Sequence, residues 1–202
     1  MVLVEDTAVA AGLLPIGGLR EHLRLGTGFA SDSLQDGLLE ACLRASLAQI
    51  EGRTGQALLR RSFTWRIWSW ATREGQPIPI APVVSLTRLE EVAGDGTATE
   101  IGAERYGLGR LGGVPVLLGR GAGLPEVPVD GHLRLVFEAG LGADWAGVPV
   151  DLRQAVMIQA ARFYEDRGLG ADAGGGGGLA PAVLALIGPY LPARLGAARG
   201  LA

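Results

Sequence analysis

Lysine and asparagine are absent from the 202 residues, and all 18 basic side chains are arginine. A P-loop is excluded, because that motif needs a lysine against its phosphates. Together with 33 glycines, this bias matches a GC-rich coding source and is read as source composition before function. Cysteine is nearly missing too. Cys42 alone rules out an intramolecular disulfide framework and any multi-cysteine zinc site. It falls on the apolar side of an expected helix and reads as a small buried hydrophobe. Histidine occurs only as His22 and His132, far apart and without ligand spacing. Charge is sparse at 19%, below the roughly 25% of an average domain.

Hydrophobic residues make up 48% and the mean hydropathy is +0.28. Some of that apolar surface is expected to be covered by partners. A net charge of −3 with this apolar content excludes general disorder. The length suits one domain, or one domain with an elaboration. Glu5 and Asp6 stand where a signal peptide would be basic, so a cytoplasmically made, soluble chain is expected. The longest uncharged run, between Asp172 and Arg194, holds five consecutive glycines and three prolines and is rejected as a membrane span.

Periodicity divides the chain. Residues 1–15 have no strong period and read as an extended N-terminal arm. A short helix fits 16–25, with Leu19 and Leu23 four apart. Ser31, Asp32 and Ser33 offer an N-cap for a helix over 33–53, whose stripe is Leu39, Cys42, Leu43 and Ile50. Gly55 is placed to end it. The period then shortens across a β insert, 58–140. Phe63, Trp65 and Ile67 alternate with Thr64, Arg66 and Trp68. Val84–Val92 and Thr97–Ile101 read as strands about a Gly94-Asp95-Gly96 turn, and His132–Glu138 as another. The Gly- and Pro-rich stretch from Gly107 to Gly131 is expected to be mostly loop. A last long helix covers 150–167, completing a domain over 16–168. A flexible Gly-rich linker follows at 169–180. Pro181 then opens a short apolar helix and an arginine-bearing tail, 181–202. The fold class is α+β: a small helical bundle with a β-strand and hairpin insert and a flexible C-terminal segment.

Few motifs carry chemistry. Gly107-Leu108-Gly109-Arg110-Leu111-Gly112 matches GxGxxG, yet Gly113, Val114 and Pro115 follow where a dinucleotide site needs a helix. Glu90-Glu91 and Glu165-Asp166 are adjacent carboxylates. On a strand, neighbours point to opposite faces, so Glu90 and Glu91 make a poor acid/base pair. No nucleophile elbow or metal arrangement occurs. Neither a catalytic constellation, nor a metal, nor a cofactor is expected, and the chain is read as non-enzymatic. The Phe63–Trp70 stretch interleaves aromatics with arginine, as single-strand nucleic-acid binders do. Its odd positions read as a core face, and a nucleic-acid-binding module stays as an alternative.

The order of three stretches resembles the head–tail connector proteins (adaptor, or head-completion) of long-tailed phages and phage-like gene transfer agents. The first is Leu19-Arg20-Glu21-His22-Leu23-Arg24, followed by the helix ending Glu51-Gly52-Arg53-Thr54-Gly55-Gln56-Ala57-Leu58. It is similar to the family's "hLR" segment and its "TGRxL"-like turn. The second, Ile80-Ala81-Pro82-Val83-Val84-Ser85-Leu86, resembles an "LPxPPhxSV" strand entry. The third runs from Phe137-Glu138-Ala139-Gly140-Leu141-Gly142 through Val148-Pro149 to Phe163-Tyr164-Glu165-Asp166-Arg167. It resembles the family's "F-x-A-G-Y-G … VP … Y-E-x-R" block. Gly52 inside a helix, Leu141 in place of a tyrosine and the glycine run at 174–178 depart from the pattern.

The resemblance implies a non-catalytic ring, commonly of twelve copies, joining the portal to a stopper or tail-completion protein at the head–tail interface of a virion. DNA would pass through its lumen without specific binding, and no membrane is involved. The C-terminal segment would reach into the portal. By position, the portal-binding candidates are Leu184, Ile187, Tyr190, Leu191, Arg194, Leu195 and Arg199. A flexible linker, an apolar helix and a basic end suit docking in a groove between subunits. Packing of that short helix on its own domain is the competing reading. Another neck or tail-completion protein of the same particles is the alternative within the structural class.

Overall fold

The change of period after Gly55 separates two regions with separate apolar cores. The computed structural model describes residues 1–25, 35–166 and 178–191. Among them, the helices are α1 (Ile16–His22), α2 (Asp36–Thr54), α3 (Val150–Asp166) and α4 (Pro181–Ile187). The strands are β1 (Val2–Glu5), β2 (Arg61–Ile67), β3 (Gly75–Pro77), β4 (Val83–Val92), β5 (Ala98–Ile101), β6 (Tyr106–Leu111), β7 (Val114–Gly119) and β8 (His132–Ala139). The fold is α+β, with two antiparallel sheets.

The helical core forms where stripes three and four residues apart meet. Leu39, Leu43, Leu47 and Ile50 of α2 face Leu152, Val156 and Ala160 of α3, with Leu19 of α1 closing one side. All but Leu47 are fully buried, and Leu47 is 4% exposed. Ser46 sits fully buried in this contact and donates to the Val156 carbonyl at 2.8 Å, which satisfies its hydroxyl and ties α2 to α3. Arg20 pairs with Asp36, joining α1 to the start of α2. Gly55 adopts φ 68° and its N–H bonds the Glu51 carbonyl at 2.8 Å, the left-handed stop expected of glycine there. The proposed N-cap, Ser31 to Ser33, lies outside the described residues.

The larger sheet runs β1-β2-β8-β4-β5 and the smaller β3-β7-β6. They share one core, in which Phe63, Trp65, Leu89, Leu135 and Phe137 of the first meet Tyr106 and Leu117 of the second. The Phe63 and Phe137 rings stack with centroids 5.7 Å apart. Two expectations are corrected here. The N-terminal arm is not merely extended: Val2 to Glu5 pair with Arg66 to Phe63 as the outer strand of the larger sheet. Between Gly107 and Gly131, β6 and β7 form a hairpin where loops were expected. Its turn is Gly112-Gly113 at φ 56° and 85°, the positive angles that a two-residue I′ hairpin needs.

The two regions join where the ends of β2 and β8 cross. Leu141 and Gly142 donate to the carbonyls of Ala57 and Leu58, each at 3.0 Å, and Arg60 donates back to Gly142 at 2.8 Å. The chains run so close that a Cβ on Gly140 would lie 2.4 Å from the Arg60 backbone nitrogen. Beside this crossing lies Arg61, its side chain 7% exposed. It donates to both oxygens of Glu51 at 3.0 and 2.7 Å, to Glu5 at 3.1 Å and to the Leu59 carbonyl at 3.0 Å. Its guanidinium carbon lies 4.9 Å from the Phe63 ring centre. Burial alone would lower the Arg61 pKa, but the bonds and charges of Glu51 and then Glu5 outweigh it and hold the pKa above its ordinary value.

Arg61→Met leaves the Glu51 carboxylate, 11% exposed, without its cation. A loss of about 3–5 kcal/mol in denaturant unfolding is expected, the usual cost of stranding one member of a buried pair. Ile187→Ala on α4, where Ile187 is fully buried against the helical core, should cost about 2–5 kcal/mol in the same measurement.

Candidate functional site

The C-terminal segment is built on the helical core rather than held away from it. Pro181 occupies the first turn of α4, where its missing N–H costs nothing. Ala180 is held by its N–H to Gln159 Oε1 at 3.2 Å. Val183 and Ile187, four apart, are fully buried in the helical core, where α4 packs on α3. A 3₁₀ turn over Gly188–Tyr190 follows, and the Tyr190 hydroxyl donates to Asp151 Oδ1 at 2.8 Å. Burial, then that bond to Asp151, raises the Tyr190 pKa, so the phenol stays protonated and remains a donor at neutral pH.

The candidate portal-binding residues therefore divide. Ile187 is a core residue, and Tyr190 latches the segment to the start of α3. Leu184 and Leu191 are exposed, at 40% and 37%. Leu184 borders a hollow of about 490 Å³ between α2 and α4, lined by Gln49, Gly52, Arg53, Gly178 and Leu179. Arg194, Leu195 and Arg199 lie outside the described residues, as does the glycine run at 174–177. Packing of α4 on its own domain, the competing expectation, is what the described residues show.

The Trp-rich strand presents its two faces differently. Phe63, Trp65 and Ile67 are buried, while Arg66 and Trp68 face outward. Trp68 lies against His132, with ring centres 5.5 Å apart. Burial, then the nearby Arg66 and Arg134, lower the His132 pKa, so the imidazole is neutral at pH 7. Glu90 accepts from Arg134 at 2.7 Å and lies 3.2 Å from Arg88. The bond from Arg134 is the main cause holding the Glu90 carboxyl below its usual range, and burial opposes it. On this outward face Arg66, Arg88 and Arg134 are matched by Asp6, Glu90 and Glu138. A mixed face of this kind is not the one-signed stripe that phosphate binding uses.

The remaining motifs resolve locally. GxGxxG lies along β6 and into its hairpin turn, with no helix following. Glu90 is paired as above, and Asp166 accepts from Arg162 at 3.3 Å on the surface of α3. Cys42 is buried in the helical core. Among the described residues, no three His, Cys, Asp or Glu side chains are grouped to hold a metal, and no helix is long and apolar enough to cross a membrane.

One surface escaped the sequence reading. Leu111, Val114 and Leu118 of the β6–β7 hairpin are 74%, 46% and 41% exposed. Gly112-Gly113 between apolar residues was the available signal, since two glycines flanked by alternating hydrophobics mark a hairpin.

No protein-family model matches the chain, and no curated protein does. Solved structures do. A chain in the neck of an empty gene transfer agent particle, computed with C6 symmetry, is 40% identical with a TM-score of 0.85. One in the virion of the native particle is 41% identical with a TM-score of 0.83. One in the native neck computed with C12 symmetry is 37% identical with a TM-score of 0.81. Each match covers 99% of this chain and 100% of the other. With that identity sustained over its whole length, the chain belongs to the head–tail connector family of long-tailed phages and phage-like gene transfer agents.

Proposed function

We propose that this chain is the adaptor of the neck, a non-enzymatic ring that joins the portal to the stopper or tail-completion protein around the DNA channel. A structural role in the virion neck, at the head–tail interface, is the coarser statement and follows from the family. The observation that carries the reading is the full-length match, at 37–41% identity, to chains of necks and a virion. Twelve copies agrees with the C12 symmetry of the native neck, and six-fold averaging of a twelve-membered ring is compatible with C6.

Portal contact is assigned to Leu184, Leu191 and the tail at 192–202, including Arg194, Leu195 and Arg199. Ile187 and Tyr190 anchor that segment to the folded body and set where it leaves. Twelve tails docking together would make weak single contacts add, since one docked copy raises the effective concentration of the rest. DNA passing through the ring needs no tight grip on phosphate, and the net charge of −3 per copy supplies none.

The test is electron microscopy of this protein co-expressed with its portal, as the full chain and as a chain ending at Leu191. That truncation spares Val183 and Ile187, so the core stays intact. An added ring with the full chain and none with the shortened one is the expected result. A ring that persists without residues 192–202 would move the portal contact to the folded body. Absence of any ring with the full chain would sink the adaptor reading.

A further inference from the structure

Antiparallel sheets with one face on a core normally turn polar side chains outward. The smaller sheet does so only at one end. Residues paired across it share a face. Tyr106 and Leu117 lie inward, in the core shared with the larger sheet. Facing the other way are Gly75, Gly107 and Leu118 in one row, Pro77, Gly109 and Val116 in the next, and Leu111 with Val114 at the tip. None of these side chains is polar, but the Arg120 guanidinium reaches over Gly107, 3.1 Å from where a Cβ would stand, and Val116 is 5% exposed, so the exposed apolar part is Leu111, Val114 and Leu118. Leu118 folds across Gly109, where a Cβ would come within 2.3 Å of its Cδ1. Apolar side chains on a sheet face suit contact with another sheet.

A second group of exposed apolar residues lies on the opposite flank, beside the arginines of the larger sheet's outward face. Met1, Val2, Val4 and Trp68 are 55%, 48%, 43% and 47% exposed, at the β1 edge of the larger sheet. Val2 and Val4 pair with Arg66 and Thr64 and so share the outward face with Trp68. Because the two sheets meet through a common core, their outward faces point away from each other. A closed ring of identical subunits needs this arrangement. Each copy meets its two neighbours through two different surfaces, one on either flank. Exposed apolar groups on both flanks mark such contacts.

We propose that the outward face of β3-β7-β6 seats on the β1 and Trp68 strip of the next copy of this chain, forming the subunit contact of the ring. This rests on the ring proposed above. The hairpin tip, with Leu111 and Val114, reaches farthest across the contact.

The experiment replaces Leu111 by the photocrosslinker p-benzoylphenylalanine in the full-length chain, in cells producing particles, and maps the products from purified particles. The expected product is a covalent dimer of this chain, joined from position 111 to residues 1–6 or to Trp68. A crosslink to another segment, to another neck protein, or no crosslink overturns the assignment. Leu111→Asp with Val114→Asp supplies a second readout, because both side chains are exposed and the monomer should melt unchanged. Its ring should disappear from particle necks, and a ring at wild-type occupancy overturns the assignment. If necks carry a ring of this chain while the crosslinks map elsewhere, the face assignment fails and the adaptor reading stands. If intact particles carry no ring of this chain, the adaptor reading itself fails.

Discussion

Everything in this molecule turns on how one buried cation is satisfied. Arg61 begins β2 at the place where the helical and sheet cores meet, and its partners come from three parts of the chain. Glu51 brings in the last turns of α2, Glu5 brings in β1, and the Leu59 carbonyl fixes the strand entry itself. Glu51 in turn accepts the Leu58 N–H at 2.7 Å, so one carboxylate organises both the cation and the backbone beside it. A charge this buried is tolerable only when it is paired, and Glu51 and Glu5 both pair it. The pairing ties the end of α2 and the β1 edge to the start of β2, where the two cores meet.

The same junction explains why the C-terminal segment can serve as a defined base. α3 follows β8 through the crossing at Gly140 to Gly142, and α4 packs on α3. The position of Leu191 is thus referred back, through two helices and a backbone crossing, to the sheets. A ring contact made by the sheets and a portal contact made by the tail would belong to one framework.

What the sequence disclosed follows from how local each signal was. The stripe on α2, with Gly55 to end it, and the alternation on β8 are written in consecutive residues, and both elements are where they were expected. β1 was missed because four residues at a sheet edge, with Val2 and Val4 exposed, acquire strand geometry only from a partner some sixty positions away. β6 was missed because Gly107 and Gly109 have low strand propensity and are needed there for the close approach of Leu118 and Arg120. At the C-terminus, periodicity marked α4 as apolar but could not say whether its stripe faced inward or outward. Val183 and Ile187 answer a core, whereas Leu184, one position along, answers solvent. Arg194, Leu195 and Arg199 lie outside the described residues and keep their roles only as part of the proposed tail.

The latch between Tyr190 and Asp151 has a mechanical meaning. A pull applied beyond Leu191 first meets that hydrogen bond, and then, within one helical turn, the buried Ile187. Force would enter the body at α3, which packs on both α2 and α4, instead of unravelling the chain end residue by residue. In the proposed ring, a tail anchored in this way would pass tension from the portal into the folded body with little slack between them.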